Sequence, residues 1–138
     1  GLTKPIAITR VGKLFLDFGF HAPTVAFPEP LGLMIEPTET YTLNELDQFA
    51  EAVIQLGKLI NEHPEVLLTV PHFTPIDRVD EVGANKNLVL SEKMGSELAE
   101  IYSDRITPSE LKNMGFEKVK KEILAAHKTK ATQLSNII

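Results

Sequence analysis

The sequence predicts a small domain of the mixed α/β (α+β) class, in the order helix, strand, long helix, strand. Three observations support this prediction. Apolar residues recur at helical steps between Ile8 and Phe18, a compact apolar run of strand length spans 31–35, and a helix start at Thr42 precedes a long apolar stripe. At 138 residues the chain is long enough for one domain with one core.

The first element is a helix whose apolar residues lie three or four positions apart, at Ile8, Val11, Leu14, Phe15 and Phe18. Gly19 follows at the position of a C-terminal cap, where glycine adopts the left-handed conformation without a Cβ clash. Prolines at 23, 28 and 30 then predict an extended or turning segment, because proline cannot donate to the ladder of a central strand.

The next two elements are a strand and a long helix. The apolar run 31–35 ends at Glu36-Pro37, and its continuous apolarity predicts a strand covered on both faces. Thr42-Leu43-Asn44-Glu45 has the sequence of a capping box, in which Thr42 and Glu45 satisfy free amides reciprocally. The helix that follows is predicted to end at Pro64.

Beyond Pro64 the pattern is less decisive. Residues 66–70 fit a short helix or a strand, 71–75 form a proline-bracketed loop, a short helix is predicted around 78–82, and 88–90 fit an edge strand. The last third is predicted to be helical, with Ser91 capping residues 92–102. Thr107-Pro108-Ser109-Glu110 starts a further helix with an apolar face to about His127.

Composition excludes several classes of function. No apolar run approaches the ~20 residues of a membrane span, and the first residues lack the apolar stretch of a secretory signal. The chain has no cysteine, which excludes disulfides and thiolate metal sites, and no other metal site is predicted. The net charge is −5, and residues 1–91 hold twelve acidic against six basic side chains, which argues against nucleic-acid binding. We expect a cytoplasmic protein.

The sequence contains no glycine-rich phosphate loop, no nucleophile elbow and no paired histidines at metalloprotease spacing. Ser109 and Lys112 have the spacing of a nucleophile–lysine pair, but they are better explained by the helix start. Three segments instead place polar side chains beside proline or glycine: 19–24, 36–39 and 71–74. Such rigid loops are typical of functional sites.

Those segments carry a family resemblance. Gly19-Phe20-His21-Ala22-Pro23-Thr24, Phe27-Pro28 and Leu33-Met34-Ile35-Glu36-Pro37-Thr38-Glu39 resemble the C-terminal part of glycine decarboxylase, the P-protein of the glycine cleavage system. The similarity continues through Leu46-Asp47-x-Phe49 and Pro71-His72-x-Thr74-Pro75-Ile76-x-Arg78-Val79-Asp80-Glu81-Val82, which is closest to the second subunit of the two-subunit form. We therefore divide the chain into a P-protein-like domain, 1–90, and a helical C-terminal extension, 91–138, without a match.

The resemblance implies the small C-terminal domain of a type I pyridoxal-phosphate enzyme, with a short, mostly antiparallel sheet and helices on one side. In that family the domain closes over pyridoxal phosphate, which the large domain binds through a lysine. The implied partners are this large domain, the first P-protein subunit and the lipoylated H-protein. The large domain and its lysine are missing from this sequence, so we expect the chain alone to bind no cofactor and to be inactive.

The sequence departs from the family pattern at two places, and these limit which functional residues of the family are assigned to this sequence. His127-Lys128-Thr129 repeats the tripeptide around the family's Schiff-base lysine, but Lys130-Ala131-Thr132-Gln133 follows it where the family has glycines. We interpret this copy as part of a surface helix. Asp77 stands where the subunit form usually has a second arginine beside Arg78.

The main candidate site residue is His21, whose imidazole is suited to proton transfer or hydrogen bonding near neutral pH. The alternative is a structural histidine that bonds the turn backbone. Thr24, in the same loop, is predicted to lie near substrate or cofactor, or to brace the loop.

The same proximity to substrate or cofactor is predicted for Glu36, Thr38, Glu39, His72 and Arg78. The alternatives are structural: turn capping for the 36–39 segment, and a surface ion pair for Arg78. His72 lies in a loop that faces the site or a neighbouring subunit.

Three functions remain open on this sequence. The first is the C-terminal domain of a glycine dehydrogenase (decarboxylating) subunit, inactive alone. The second is a free-standing interaction or dimerisation module derived from that domain. The third is a chain that complements a separately encoded large domain.

Overall fold

The computed structural model describes residues 4–26, 28, 31–75, 81–88 and 105–135. In chain order these residues form α1 (Lys4–Asp17), β1 (Thr24–Val25), β2 (Leu33–Met34), α2 (Leu43–Glu62), a 3-10 helix (Pro64–Leu68), α3 (Glu81–Lys86), α4 (Pro108–Asn113) and α5 (Phe116–Ser135). The described part is thus mostly helical with one two-stranded sheet. None of its helices is long and apolar enough to cross a membrane.

Helix α1 confirms the predicted apolar pattern, because Leu14, Phe15 and Phe18 are almost fully buried. Its end is a Schellman motif: the amide of Gly19 donates to Leu16 O (3.0 Å) and the amide of Phe20 donates to Phe15 O (3.0 Å). Gly19 has φ +82°, the left-handed conformation predicted for this cap. The turn sends the chain towards the sheet.

The sheet differs from the prediction in extent and burial. β1 and β2 pair antiparallel, with Thr24 opposite Met34 and Val25 opposite Leu33. The antiparallel pairing agrees with the expected topology, but only two residues of the apolar run 31–35 are in a strand. Burial on both faces was wrong for this chain, since Met34 and Ile35 are each 51% exposed. The described elements cover one side of this hairpin at most.

Helix α2 begins at the predicted capping box. The hydroxyl of Thr42 accepts from the amide of Glu45 (3.3 Å), and the Glu45 carboxylate accepts from the amide of Thr42 (2.8 Å). Its buried line is Ala52, Leu56 and Leu59. Pro64 then starts the 3-10 helix, so the ambiguous segment 66–70 is helical over 66–68 and leaves the helix at Thr69.

The predicted helix after Thr107 is two helices. Thr107 forms the expected capping box with Glu110, but α4 ends at Asn113, because Met114 is extended at φ −82° and ψ 135°. Helix α5 then runs to Ser135, beyond the expected end near His127. The short helix predicted around 78–82 overlaps α3 at residues 81 and 82, and residues 78–80 lie outside the described residues. Of the strand predicted at 88–90, Leu88 is described and is not in a strand, and the other two residues lie outside the described residues, as does the helix predicted at 92–102.

The core joins both parts of the chain. Leu14, Phe18, Leu56, Leu59 and Val66 pack in one cluster, and Leu111, Val119 and Ile123 of α4 and α5 belong to the same cluster. The C-terminal helices are therefore packed on the N-terminal elements as part of one hydrophobic core.

Candidate functional site

An open cavity of about 410 Å³ lies where the loop after α1 meets the hairpin and the start of α2. Residues 20–24 form one side of it and residues 34–37 form another. Lys112 of α4 closes a third side. The two motif segments that the sequence singled out, 19–24 and 33–39, thus meet at one concave surface. Such a surface is the usual form of a small-molecule site.

The Schellman turn places His21 at this cavity. Gly19 is packed against α4 so closely that a Cβ at this position would lie 2.7 Å from Pro108 O and 3.1 Å from the Leu111 Cβ. Glycine is therefore required both by the positive φ and by the space. The next two residues leave the turn with Phe20 directed inward and His21 exposed at the cavity.

Aromatic rings form the apolar part of the cavity wall. The ring of Phe49 stacks on Phe15 at 5.8 Å between centroids and meets Phe20 edge-on at 5.7 Å. The ammonium of Lys112 lies 5.0 Å from the centroid of the Phe20 ring, within cation–π range. These contacts fix the orientation of Phe20 and place one cation at the rim.

Two acidic residues face the cavity, and they differ in their hydrogen bonding. Glu36 is exposed after β2, and its side chain makes no hydrogen bond with any described residue. Glu45 is committed to the α2 capping box. The amide and hydroxyl of Thr42 donate to its carboxylate and hold its pKa below the ordinary value, with Lys112 acting in the same direction. Glu36 is thus the carboxylate that is free to meet a ligand.

The structure brings some predicted site residues together and separates others. His21, Thr24 and Glu36 line the cavity. Thr38 and Glu39 lie in the following turn, outside the lining, and the hydroxyl of Thr38 bonds that of Thr40 at 2.7 Å. Arg78 lies outside the described residues. Proximity to substrate or cofactor stays a prediction for these residues.

His72 is directed into the protein interior, where it is bonded to Asp17. The Nδ1 of His72 lies 2.7 Å from Asp17 Oδ2, and neither side chain is exposed to any degree. Asp17 Oδ1 also accepts from the amides of His72 (2.7 Å) and Phe73 (3.2 Å). A buried carboxylate is tolerated because three donors compensate for its lost hydration.

The hydrogen bonds continue from His72 to the C-terminal helix. His72 Nε2 lies 2.9 Å from Thr69 Oγ1, and His127 Nδ1 of α5 lies 2.7 Å from the same oxygen. The hydroxyl of Thr69 also lies 3.2 Å from Val66 O. We call this row of hydrogen-bonded side chains, Asp17–His72–Thr69–His127, the buried chain.

The first three members of the buried chain have the connectivity of a carboxylate–imidazole–hydroxyl triad. A nucleophile must reach a substrate, however, and Thr69 is only 7% exposed. None of the three lines the cavity described above. Thr69 Oγ1 is also enclosed by Val66 O and two imidazoles. The arrangement is therefore better suited to holding segments together than to attacking a substrate.

Three members of the buried chain were not predicted from the sequence as functional or interacting residues: Asp17, Thr69 and His127. One signal was present for Asp17, which lies between Leu14 and Phe18 on a helix that the pattern predicts to be buried. An aspartate there requires a partner. His127 was interpreted as part of a surface helix, and its contact with Thr69 depends on how α5 packs. Lys112 was noticed only through its spacing from Ser109.

Within the described ranges, no group of three or more histidine, aspartate or glutamate side chains is arranged to hold a metal ion. Of the two acidic side chains that line the cavity, Glu45 is occupied in a cap and Glu36 is not. The cavity therefore offers an imidazole, a hydroxyl, a carboxylate and an ammonium beside aromatic rings. These groups suit hydrogen bonding, proton transfer and ion pairing.

Comparisons with known proteins agree with the motif positions. A family described as "Glycine dehydrogenase, C-terminal domain" matches residues 2–69. A probable glycine dehydrogenase (decarboxylating) subunit 2 of Caldanaerobacter subterraneus subsp. tengcongensis is 50% identical over 82 residues, which are 58% of this chain and 17% of that protein. The corresponding protein of Pyrococcus abyssi is 46% identical over 92 residues, 65% of this chain and 18% of the relative.

The chain thus spans less than a fifth of the length of these curated relatives. No solved structure matches it significantly.

Proposed function

Because residues 2–69 belong to the family of glycine dehydrogenase C-terminal domains, we propose that this chain forms part of the wall of a pyridoxal-phosphate site in glycine cleavage. On this proposal it is the C-terminal domain or a fragment of a glycine dehydrogenase (decarboxylating) subunit. On this proposal the segment does not act alone, because the relatives are several times longer and, by the resemblance, the cofactor lysine belongs to the large domain.

The observation that carries the proposal is the cavity shared by the two motif segments. His21 and Thr24 come from the loop after α1, whereas Glu36 comes from the end of β2. These residues are separated in sequence but line the same concave surface. A structural role alone does not require exposed polar groups to converge in this way.

The residues at the cavity suit one side of a planar, polar group such as pyridoxal phosphate. Bound to the whole enzyme, this cofactor supplies an electron sink for decarboxylation. The imidazole of His21 would then hold or move a proton at its exposed nitrogen, and the rings of Phe20 and Phe49 would exclude water from one side. No glycine-rich phosphate cradle is present in the sequence, so this chain contributes a wall and not the main binding surface.

The exposed apolar side chains beside the cavity support the proposal that another protein surface covers them in the intact enzyme. Val25, Met34, Ile35 and Tyr41 are 40–54% exposed on the hairpin and the following turn. Contiguous apolar surface of this kind is usually covered by another protein surface. We assign the cover to the large pyridoxal-phosphate-binding domain, with the first P-protein subunit and the lipoylated H-protein as further partners of the intact enzyme.

The domain boundary near residue 90 and the type I small-domain fold are parts of the same proposal. The family match ends at residue 69, and the relatives match 80–92 residues of this chain. Both observations support a separate origin for residues 91–138. Because Leu111, Val119 and Ile123 share the common core, the extension would stabilise the domain and would not fold as a unit of its own.

The test is to restore a whole enzyme. The missing part of a glycine dehydrogenase subunit 2 would be coexpressed with this chain and the first subunit, and glycine-dependent release of carbon dioxide would be measured with H-protein. We expect activity only in the mixture. His21→Ala should lower turnover about 10²–10⁴-fold, the usual contribution of a proton-transferring side chain, while assembly is unchanged.

His63→Ala is the matched control, because His63 lies at the end of α2 and bonds Glu65 at 3.0 Å, outside the cavity lining. It should retain full activity. Assembly without any glycine-dependent activity, or a His21→Ala enzyme as active as wild type, would contradict the respective parts of the proposal.

A homodimerisation module is the second candidate, and the same exposed apolar patch favours it. Sedimentation at several concentrations separates the two functions. A compact monomer throughout would rule out the dimer, whereas a concentration-dependent dimer that Met34→Lys disrupts would support it.

A further inference from the structure

We propose that the buried chain Asp17–His72–Thr69–His127 is a pH-sensitive latch that fastens the C-terminal half of α5 to the rest of the domain and opens on acidification. The latch joins three segments that are far apart in sequence: α1, the loop after the 3-10 helix, and α5. Its bonds are short, at 2.7, 2.9 and 2.7 Å in order. The proposal does not depend on the function assigned to the cavity.

The positions of the protons on the four side chains determine which hydrogen bonds of the buried chain form. Asp17 accepts two amides and the Nδ1 of His72, so it acts as a carboxylate and His72 Nδ1 carries a proton. Thr69 has one hydroxyl proton to share among three neighbours. When both imidazoles are neutral, Thr69 donates to His72 Nε2 and accepts from His127 Nδ1–H, and every bond of the chain is made.

The imidazole of His72 is paired with the buried carboxylate of Asp17 at 2.7 Å. A positive charge on His127 has no such partner, because its Nδ1 contacts the Thr69 hydroxyl. This charge would lie on a partly buried side of α5, across Thr69 from a second imidazole, and both burial and that neighbour disfavour it.

The other charged groups around His127 do not offset the penalty on its charged form. From the 3-10 helix and its start, Glu65 attracts a proton to His127, but it is already bonded to His63. The loop is approached by Arg10 of α1, which donates to Leu68 O and Val70 O, and α5 itself carries Lys128 and Lys130. Apart from Glu65, these neighbours are cations or imidazoles.

The pKa of His127 is accordingly lowered, first by burial and next by His72. A histidine with a lowered pKa in the folded state favours folding in its neutral form. Its contribution is complete above the unfolded value of about 6.5 and is lost as the pH falls below it, because the open state binds more protons. The sign of this linkage matches a latch that opens in acid.

Opening is expected to be local. The first half of α5 is held by Val119 and Ile123 in the core and by Lys120, which donates to Gln55 Oε1 at 3.0 Å. Beyond Ile123, the described contacts with the body include the His127 bond and the bond of Lys130 to Pro71 O at 2.6 Å. Loss of the His127 bond would therefore weaken the attachment of residues 127–135 to the domain while the core stays packed.

Hydrogen exchange of the full chain tests the latch. Amide protection would be measured near pH 7.5 and pH 5.5, on either side of the ordinary histidine pKa of about 6.5, and corrected for intrinsic exchange. We expect residues 127–135 to open severalfold more often at the lower pH, while α2 is unchanged. His127→Asn should remove this difference, because the amide group can bond Thr69 but does not titrate.

His21→Asn is the matched control: it removes an exposed imidazole at the cavity, outside the buried chain, and should keep the pH dependence. Equal protection of residues 127–135 at both pH values in the wild type would overturn the proposal, as would full pH dependence in His127→Asn. Nuclear magnetic resonance of wild-type histidines provides a readout that needs no variant. His127 must titrate below about 6.5, and a midpoint at or above that value contradicts the latch.

Discussion

The cavity and the buried chain use the same kinds of side chain in opposite surroundings. At the cavity, His21 and Glu36 are exposed, and their side chains make no hydrogen bonds to described residues. In the buried chain, His72 and Asp17 are fully enclosed and each polar atom has a partner. In the described part of the chain, no buried side-chain nitrogen or oxygen lacks a partner.

This difference separates groups that serve the fold from groups left available for a ligand or another protein surface. A buried polar group without a partner costs stability, so the interior must be satisfied by the chain itself. An exposed group has no such requirement, because water satisfies it. The comparison predicts that variants of the buried chain change stability, whereas variants at the cavity change activity.

Asp17→Ala should have the largest effect on stability. It removes the carboxylate that accepts from His72 Nδ1 and two amides, and loss of one member of a buried pair costs about 3–5 kcal/mol. Asp17→Asn should cost less, because one oxygen can still accept the amides. Denaturant unfolding near neutral pH measures both, with exposed Asp47→Ala as the control within about 0.5 kcal/mol. A loss below about 1 kcal/mol for Asp17→Ala would mean that the buried chain does not hold the fold.

Gly19→Ala should have the next largest effect, about 1–3 kcal/mol, since it combines φ +82° with a Cβ only 2.7 Å from Pro108 O. The matched control is Gly57→Ala, where a Cβ meets nothing within 4 Å. In the interior of α2 this change should stabilise by about 0.5–1 kcal/mol. Thermal unfolding of the two variants should thus shift in opposite directions, and equal shifts would contradict the proposed packing of α4 on the turn.

Thr107→Ala should cost about 1 kcal/mol, the usual value for loss of an N-cap. Thr107 accepts from the Glu110 amide at 3.3 Å and starts the helix that carries Lys112 to the cavity. Ser109→Ala in the same turn is the control and should stay within about 0.5 kcal/mol. Unfolding curves measure both. If the two variants were equally stable, the capping box would not contribute to α4.

His21→Ala should have the smallest effect on stability, within about 0.5 kcal/mol, because its side chain is exposed and is not part of the core. The same variant should show a large loss of turnover in the restored enzyme, so stability and activity respond differently. A loss of stability as large as that of Gly19→Ala would instead assign His21 to the turn, which is the structural alternative.

Local signals predicted much of the helical structure. The capping boxes at Thr42 and Thr107 and the left-handed Gly19 were predictable because each depends on a few neighbouring residues. The predicted double-sided burial of 31–35 failed, because an apolar run indicates that a strand will be covered without indicating by which chain. The break at Met114 was missed because the apolar spacing continues across it.

The cavity could be anticipated in part from the motif segments, since His21, Thr24 and Glu36 all line it. Lys112 could not be anticipated, because its place depends on the packing of Pro108 and Leu111 against Gly19. The same holds for His127, which reaches Thr69 from 58 positions away.

By itself, then, the sequence determined the local elements and the family of residues 2–69, since capping, turn conformation and motif identity are properties of neighbouring residues. The tertiary structure alone decided that Asp17, His72, Thr69 and His127 form one chain and that Lys112 meets the cavity. Contacts between distant residues depend on how the helices pack around a common core, and no local pattern records that packing.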